Sequence, residues 1–397
     1  LVYLTLDPRF HANEEDIDMP LVLNEEQVML RDAAAGFLAE NATVSHLREL
    51  RDSGSERGFS DEVWQQMAEM GWAGIAIPEE FGGLGYGYAG LGLVLEQVGR
   101  NLSPSPLQST VLVAATVISE LGSAAQKENL LPAIAAGQSL VSLALQEGNH
   151  HAPDKTALTA SRDGDRYTLS GSKTQVLDAG VADQFIVIAR TAGHPGDEQG
   201  LSAFLVPASA DGVTIERRSM VDSLNSGTVY LQNVSVASDK LLGGEGDAWT
   251  GLARALDIAN IGLASELLGL STAAFEKTVG YLTERKQFGR IIGSFQGLQH
   301  RAAELYAELE LARSIVMQAL QAIDEGNDTL PLLASAAKAK LCEVAQRTTN
   351  EGIQMHGGVG MTDEYDIGFY IKRARVAQQT LGDYNYHLDR YATLSGF

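Results

Sequence analysis

The chain contains a single cysteine, Cys342, among its 397 residues. That excludes an internal disulfide framework and a cysteine-built metal centre. Cys342 reads as a small apolar core residue, compatible with the reducing cytoplasm that is the expected location. Basic residues are also in short supply, with 29 Lys and Arg against 51 Asp and Glu and a formal net charge of -22. Nucleic acid and anionic membrane surfaces are therefore not expected as partners, because binding to either relies on clustered Lys and Arg. No apolar run reads as a membrane span. Walker, G-x-S-x-G and strand-borne G-x-G-x-x-G patterns are missing. No metal is expected, since no His, Cys or Asp cluster has ligand spacing, and the adjacent His150 and His151 would face opposite ways on a strand. The leading stretch LVYLTLDPRFHANEEDIDM lacks the basic start of a signal peptide. Residues 1–20 are expected to be a poorly ordered extension, with the folded unit starting near Met19.

What is present describes an ordinary globular protein, 45% apolar and 20% charged, long enough for two or three domains. Residues 21–138 read as a helical domain. Met29, Leu30, Ala33, Phe37 and Leu38 suggest one apolar stripe. Ser60 offers an N-cap, Asp61 and Glu62 suit a first turn, and Gly71 a stop. Helical patterns continue over 89–100, 107–121 and 124–136. From 139 to 240 the pattern becomes short β-branched runs separated by Gly, Asp and Asn, which predicts a small β-barrel or sandwich. Residues 245–397 read as a four-helix bundle, with helices over 248–285, 294–325, 331–356 and 366–393. The fold class is α+β, mainly α.

Two stretches in the last third concentrate chemistry-bearing residues: RKQFGRIIGSFQGLQHRAAELY from Arg285, and QMHGGVGMTDEYDIGFYIKRAR from Gln354. An Arg at a helix–helix corner can hold a pyrophosphate, and Gly357–Gly358 admits a ligand close to the backbone. On physical grounds alone a simple capped turn is an equal alternative.

The patterns R-x-x-F-G-x-x-I-x-x-F-Q and Q-x-x-G-G-x-G, together with PEEFGGLG, GSKTQVLDAGVAD and VSVASDKLLG, resemble the acyl-CoA dehydrogenases over about residues 21–395. The resemblance implies FAD, held between the β domain and the bundle and extending to a neighbouring subunit. It implies Arg285, Phe288 and Gln296 as cofactor contacts from one chain, and Gln354, Gly357 and Gly358 as contacts from another. On the flavin side it points to Gln146, Val176, Leu177 and Asp383. It further implies an acyl-CoA thioester as substrate, electron-transfer flavoprotein as electron acceptor, and a dimer or tetramer. In the family reaction a base removes the α proton of the thioester while hydride leaves the β carbon. The carbonyl oxygen is held meanwhile by hydrogen-bond donors, among them the backbone N–H at the base position.

This chain departs from the family where the base belongs. The usual Glu position is Leu381, and the alternative on the first bundle helix is Ala259. Asn260 stands where an Arg often contacts coenzyme A. The flavin-edge motif is also altered, to Gln146-Glu147-Gly148 and Gln175-Val176-Leu177. Glu266, Asp383, Glu147 and His387 are the substitute bases to consider; Glu266 lies two turns along the helix, roughly 10 Å from Ala259. A narrower resemblance, carried by GFYIKRARVAQQTLGDYNYHLDRYA, is to the small-subunit type of pimeloyl-CoA dehydrogenase and to two-subunit steroid side-chain enzymes. It implies one subunit of a heteromeric enzyme whose partner supplies the Glu. The alternatives are self-sufficient catalysis by a substitute base, a flavin-dependent monooxygenase on the same fold, or a non-catalytic flavin- or CoA-binding paralogue.

Overall fold

The computed structural model describes residues 22–397; the expectations for residues 1–20 and Met19 lie outside the described residues. The helical first part holds α1 (Glu25–Asn41), α2 (Val44–Asp52), α3 (Asp61–Glu69), α4 (Tyr88–Asn101), α5 (Ala115–Leu121) and α6 (Ala124–Ala135). Capping sets its boundaries. Asn24 and Gln27 form a reciprocal capping box on α1, as do Ser123 and Gln126 on α6. Ser60 caps α3, and Gly71 follows that helix at φ 81°. Leu30, Phe37 and Leu38 of the expected α1 stripe pack into the core together with Ala34, whereas Met29 is 65% exposed and Ala33 is also on the open side.

Residues 107–121 are helical, but Leu107–Ala114 is π-helix running into α5. An i→i+5 segment carries the same apolar residues as an α-helix, so hydrophobic spacing does not distinguish them. Thr110 pins this segment to the sheet, with its hydroxyl 3.1 Å from both the N–H and the C=O of Val141.

The middle part is a twisted, mainly antiparallel sheet in the order β6 (Val213–Ser219), β7 (Asn225–Ala237), β3 (Arg166–Leu177), β2 (Thr159–Asp163), β4 (Gln184–Arg190), β5 (Leu201–Pro207), β8 (Leu241–Leu242). β1 (Val141–Ala144) pairs parallel with β4. Its own core includes Tyr167, Phe185, Phe204 and Val176. The register of β3 against β7 shifts between Lys173 and Val176, and Gln175 there has φ 52°. This bulge decides which side chains at the end of β3 face outward.

The bundle consists of α7 (Trp249–Glu284), α8 (Gln296–Asp324), α9 (Leu330–His356) and α10 (Ile367–Gln379), followed by α11 (Tyr384–Leu394). A short hairpin, β9 (Lys286–Gln287) and β10 (Arg290–Ile291), joins α7 to α8. The helix expected over 366–393 is broken: Leu381 at φ 56° and Gly382 at φ 107° turn the chain between α10 and α11. Gly382 is required there, because a Cβ would lie 2.5 Å from the Tyr386 ring and 2.8 Å from His387 Nε2. By length and composition α7 could cross a membrane, contrary to the sequence expectation, but 89% of its apolar window is buried inside the protein. It is the central helix of the bundle.

Candidate active site

The turn between α10 and α11, the end of β3, the end of β1 and the π segment converge on a cavity of about 270 Å³. Leu381, Leu177, Gln175, Gln146, Ser109 and His151 line it, and Met220, Val221, Arg375 and Gln379 form further parts of its wall. None of its lining residues is an Asp or a Glu. A larger cleft of about 940 Å³ lies between α1, α4, α7 and α8. It contains none of the residues that the sequence singled out, and its rim carries the Arg100–Glu276 and Arg313–Glu96 ion pairs.

Strand periodicity sorts the β3 residues. Leu177 faces the cavity, whereas Val176 is buried in the β core and does not reach it. Val176, expected on the flavin side, thus offers no side chain to the cavity, whereas Gln175, which the bulge turns outward, does. Gln146 lines the wall and donates from Nε2 to Gly148 O at 3.0 Å and also to His150 O.

The candidate bases are otherwise engaged. Glu266 accepts from Arg373 Nε at 2.6 Å. That buried guanidinium also donates to Asp222 at 2.9 Å and to Gln108 at 2.9 Å. Asp383 caps α11, accepting from the Tyr386 N–H at 2.9 Å. Glu147 pairs with buried Lys173 at 2.7 Å and accepts from the N–H groups of Ala157 and Leu158. Burial and the neighbouring Lys338 push His387 down to about 2, so it does not have the near-neutral pKa expected of a proton carrier. Ala259 is packed in the core with no exposure. Asn260 is buried and donates to Leu256 O at 2.9 Å.

Two cavity-lining residues and one behind the turn had no usable signal in the sequence. Ser109 donates to Asp178 at 2.5 Å, and burial raises the Asp178 carboxyl to about 6 against the lowering effects of Ser109 and Arg373. His151 packs edge-on against Tyr386, and burial lowers it to about 3. Lys338 has no exposed surface and donates from Nζ to Thr380 O at 2.6 Å and Gly382 O at 3.0 Å.

The two sequence corners lie elsewhere. Tyr281 stacks on His356 with centroids 4.5 Å apart, and Leu282 packs with Met355. The Arg285 and Gln354 corners therefore sit at the same end of one bundle. Arg285, Phe288, Gln296, Gln354, Gly357 and Gly358 are exposed there, Phe288 by 91%. A Cβ at Gly358 would meet nothing in this chain, so the chain's own packing does not demand glycine there. The 13 residues of α10 place this end roughly 20 Å from the cavity.

Comparison with known proteins decides the family. Residues 24–138, 145–234 and 246–393 match the acyl-CoA dehydrogenase N-terminal, middle and C-terminal domains in that order. The chain belongs to the acyl-CoA dehydrogenase family. The probable acyl-CoA dehydrogenase YngJ of Bacillus subtilis is 31% identical over 91% of this chain and 95% of its own. Among solved structures, a variant of the steroid ACAD Tcur3481-Tcur3483 is 32% identical with a TM-score of 0.84, covering 94% of this chain and 98% of that one. The ChsE4-ChsE5 complex of Mycobacterium tuberculosis is 26% identical with a TM-score of 0.85, covering 96% and 100%.

Acyl-CoA dehydrogenases are oxidoreductases acting on CH–CH groups, and the family implies FAD as cofactor. The residues present fit that group. The cavity offers apolar faces from Leu177, Leu143 and Val113 for a flat ring, and amides from Gln146 and Gln175 for a polar edge. The exposed corner offers Arg285, Lys286, Arg290 and the ring of Phe288.

Proposed function

We propose that this chain is an FAD-dependent acyl-CoA dehydrogenase subunit that binds an acyl-CoA thioester for α,β-desaturation and takes its base from a different partner chain. One observation carries the proposal: at the base position an apolar side chain, Leu381, faces a cavity whose lining contains no carboxylate. When bound there, FAD supplies the acceptor for hydride from the β carbon. Leu177, Leu143 and Val113 exclude water from that hydride path, and Gln146 and Gln175 orient the polar edge of the ring. Removal of the α proton has no agent among the lining residues, so the carboxylate must come from outside the described chain.

Arg285, Phe288, Gln296, Gln354, Gly357 and Gly358 act together on a neighbouring subunit's flavin diphosphate. Support comes from their common end of the bundle, their exposure and their distance from this chain's own cavity. Similarity to the ChsE4-ChsE5 complex favours a heteromer, and similarity to a steroid ACAD favours a steroid side-chain or fatty acyl thioester. Electron-transfer flavoprotein is the proposed acceptor.

The decisive experiment restores the base. The isolated FAD-loaded chain should oxidise acyl-CoA at background rate, and Leu381→Glu should raise that rate by about 10²–10⁴, the range a positioned general base contributes. No gain with short, medium or steroid side-chain thioesters would remove the missing-base reading. A second reading has its own observation: Asp178, raised to about 6 and hydrogen-bonded to cavity-lining Ser109, could accept the proton through that hydroxyl. Full activity of the wild-type chain alone, abolished by Asp178→Asn, would establish it in place of the heteromer.

A further inference from the structure

We propose that Lys338 and His387 are positioning residues that aim the Leu381 N–H into the cavity as a hydrogen-bond donor to a thioester carbonyl. The inference rests on the reading that a thioester occupies that cavity. It assigns this chain the carbonyl-polarising half of the chemistry, separated from the proton-removing half.

Three consecutive carbonyls of the turn meet buried donors. Thr380 O and Gly382 O accept from Lys338 Nζ at 2.6 and 3.0 Å, and Leu381 O lies 3.2 Å from His387 Nε2. A carbonyl only accepts, so Nε2 carries the proton; His387 Nδ1 has no partner among the described residues. In a trans peptide the C=O and the next N–H point opposite ways. Drawing those carbonyls toward Lys338 and His387 therefore turns the N–H groups of Leu381, Gly382 and Asp383 away from them. Leu381 lines the cavity, and its N–H has no backbone or side-chain acceptor among the described residues. An unpaired donor at a cavity wall is what an incoming carbonyl oxygen requires.

Two further facts point the same way. Leu381 holds φ 56°, an arrangement that costs a residue with a Cβ about 1 kcal/mol and persists only where its surroundings impose it. Lys338 has no carboxylate among its hydrogen-bond partners; its third acceptor is Asn260 Oδ1 at 3.5 Å. A buried ammonium satisfied by neutral acceptors is a poor device for stability, since an apolar side chain of similar length avoids its desolvation. Fixing the direction of two peptide planes is something that no apolar side chain does.

The test reads the carbonyl directly. Butyryl-CoA, isotope-labelled at the thioester carbonyl, is bound to the FAD-loaded protein and its C=O stretch recorded by difference infrared spectroscopy. The wild-type band should move to lower wavenumber. Lys338→Met should lose that shift and bind the thioester about tenfold more weakly, one aimed hydrogen bond's worth. Affinity for S-butyl-CoA, the thioether without a carbonyl, should stay unchanged, which a merely structural role would not allow. His387→Phe keeps the ring, removes one donor and should lose part of the shift; it carries the test if Lys338→Met does not fold. A full shift retained in a folded variant overturns the clamp and leaves the proposed function standing. A wild-type protein that leaves the bound carbonyl unshifted overturns the thioester reading together with the clamp.

Discussion

The two ends of α9 are finished in opposite ways. Near its start, Lys338 is wholly enclosed and donates to two carbonyls of the Thr380–Gly382 turn. At its far end, about 24 Å away by helical rise, Gln354 and the Gly357–Gly358 pair are open to solvent, as is Phe288 at the same end of the bundle. At the first end the Lys338 ammonium finds its acceptors within the chain. The other presents cations, an aromatic ring and glycines whose virtual Cβ positions touch nothing in the chain. Enclosed polar networks specify geometry, whereas unfinished ones specify a visitor.

The comparison predicts different responses to mutation. The largest effect belongs to the enclosed end. Arg373→Met leaves the Glu266 and Asp222 carboxylates buried without a counter-ion and should lower unfolding stability by about 3–5 kcal/mol, read from urea denaturation. Replacing all three by apolar residues of similar size should recover most of that loss; equal instability of the single and triple variants would break the account. At the open end, Arg285→Ala should weaken FAD binding by about 2 kcal/mol through lost charged hydrogen bonds to phosphate, while leaving apo-protein stability within about 0.5 kcal/mol. Unchanged FAD occupancy in the assembled protein would sink that assignment.

The smallest effect is a pH dependence confined to the enclosed end. His151 is lowered to about 3, first by burial and then by Lys338 and Arg390. Below the unfolded value of about 6.5 the unfolded chain takes up a proton that the folded chain refuses. Stability is then complete above about pH 6.5 and declines as the pH falls toward 3. His151→Phe should flatten this decline by about 1 kcal/mol, a value discounted for partial solvent access. Identical acid profiles for variant and wild type would remove His151 as the cause.

Sequence patterns carried the element order and the open end, because both are written locally. Strands such as Gln184–Arg190 follow β-branched periodicity, and Arg285, Phe288 and Gly357–Gly358 sit in contiguous motifs. The cavity wall was less legible. Leu381 and Leu177 were found by resemblance, but Ser109, Asp178, Lys338 and His151 come together only through long-range packing. Val176 points into the β core because a bulge at Gln175 changes which strand positions face outward, and a sequence window does not show register. Periodicity alone runs one helix through 366–393, because a leucine at positive φ leaves no mark on it.

The Arg373 guanidinium joins side chains from the π segment, the loop between β6 and β7, and the central helix of the bundle. Swinging the sheet away from the helices would strip charges in all of these places at once. Entry to the cavity must therefore proceed past side chains at its rim, such as Val221 and exposed Arg375, and turnover should be timed by local gating there instead of by hinge opening.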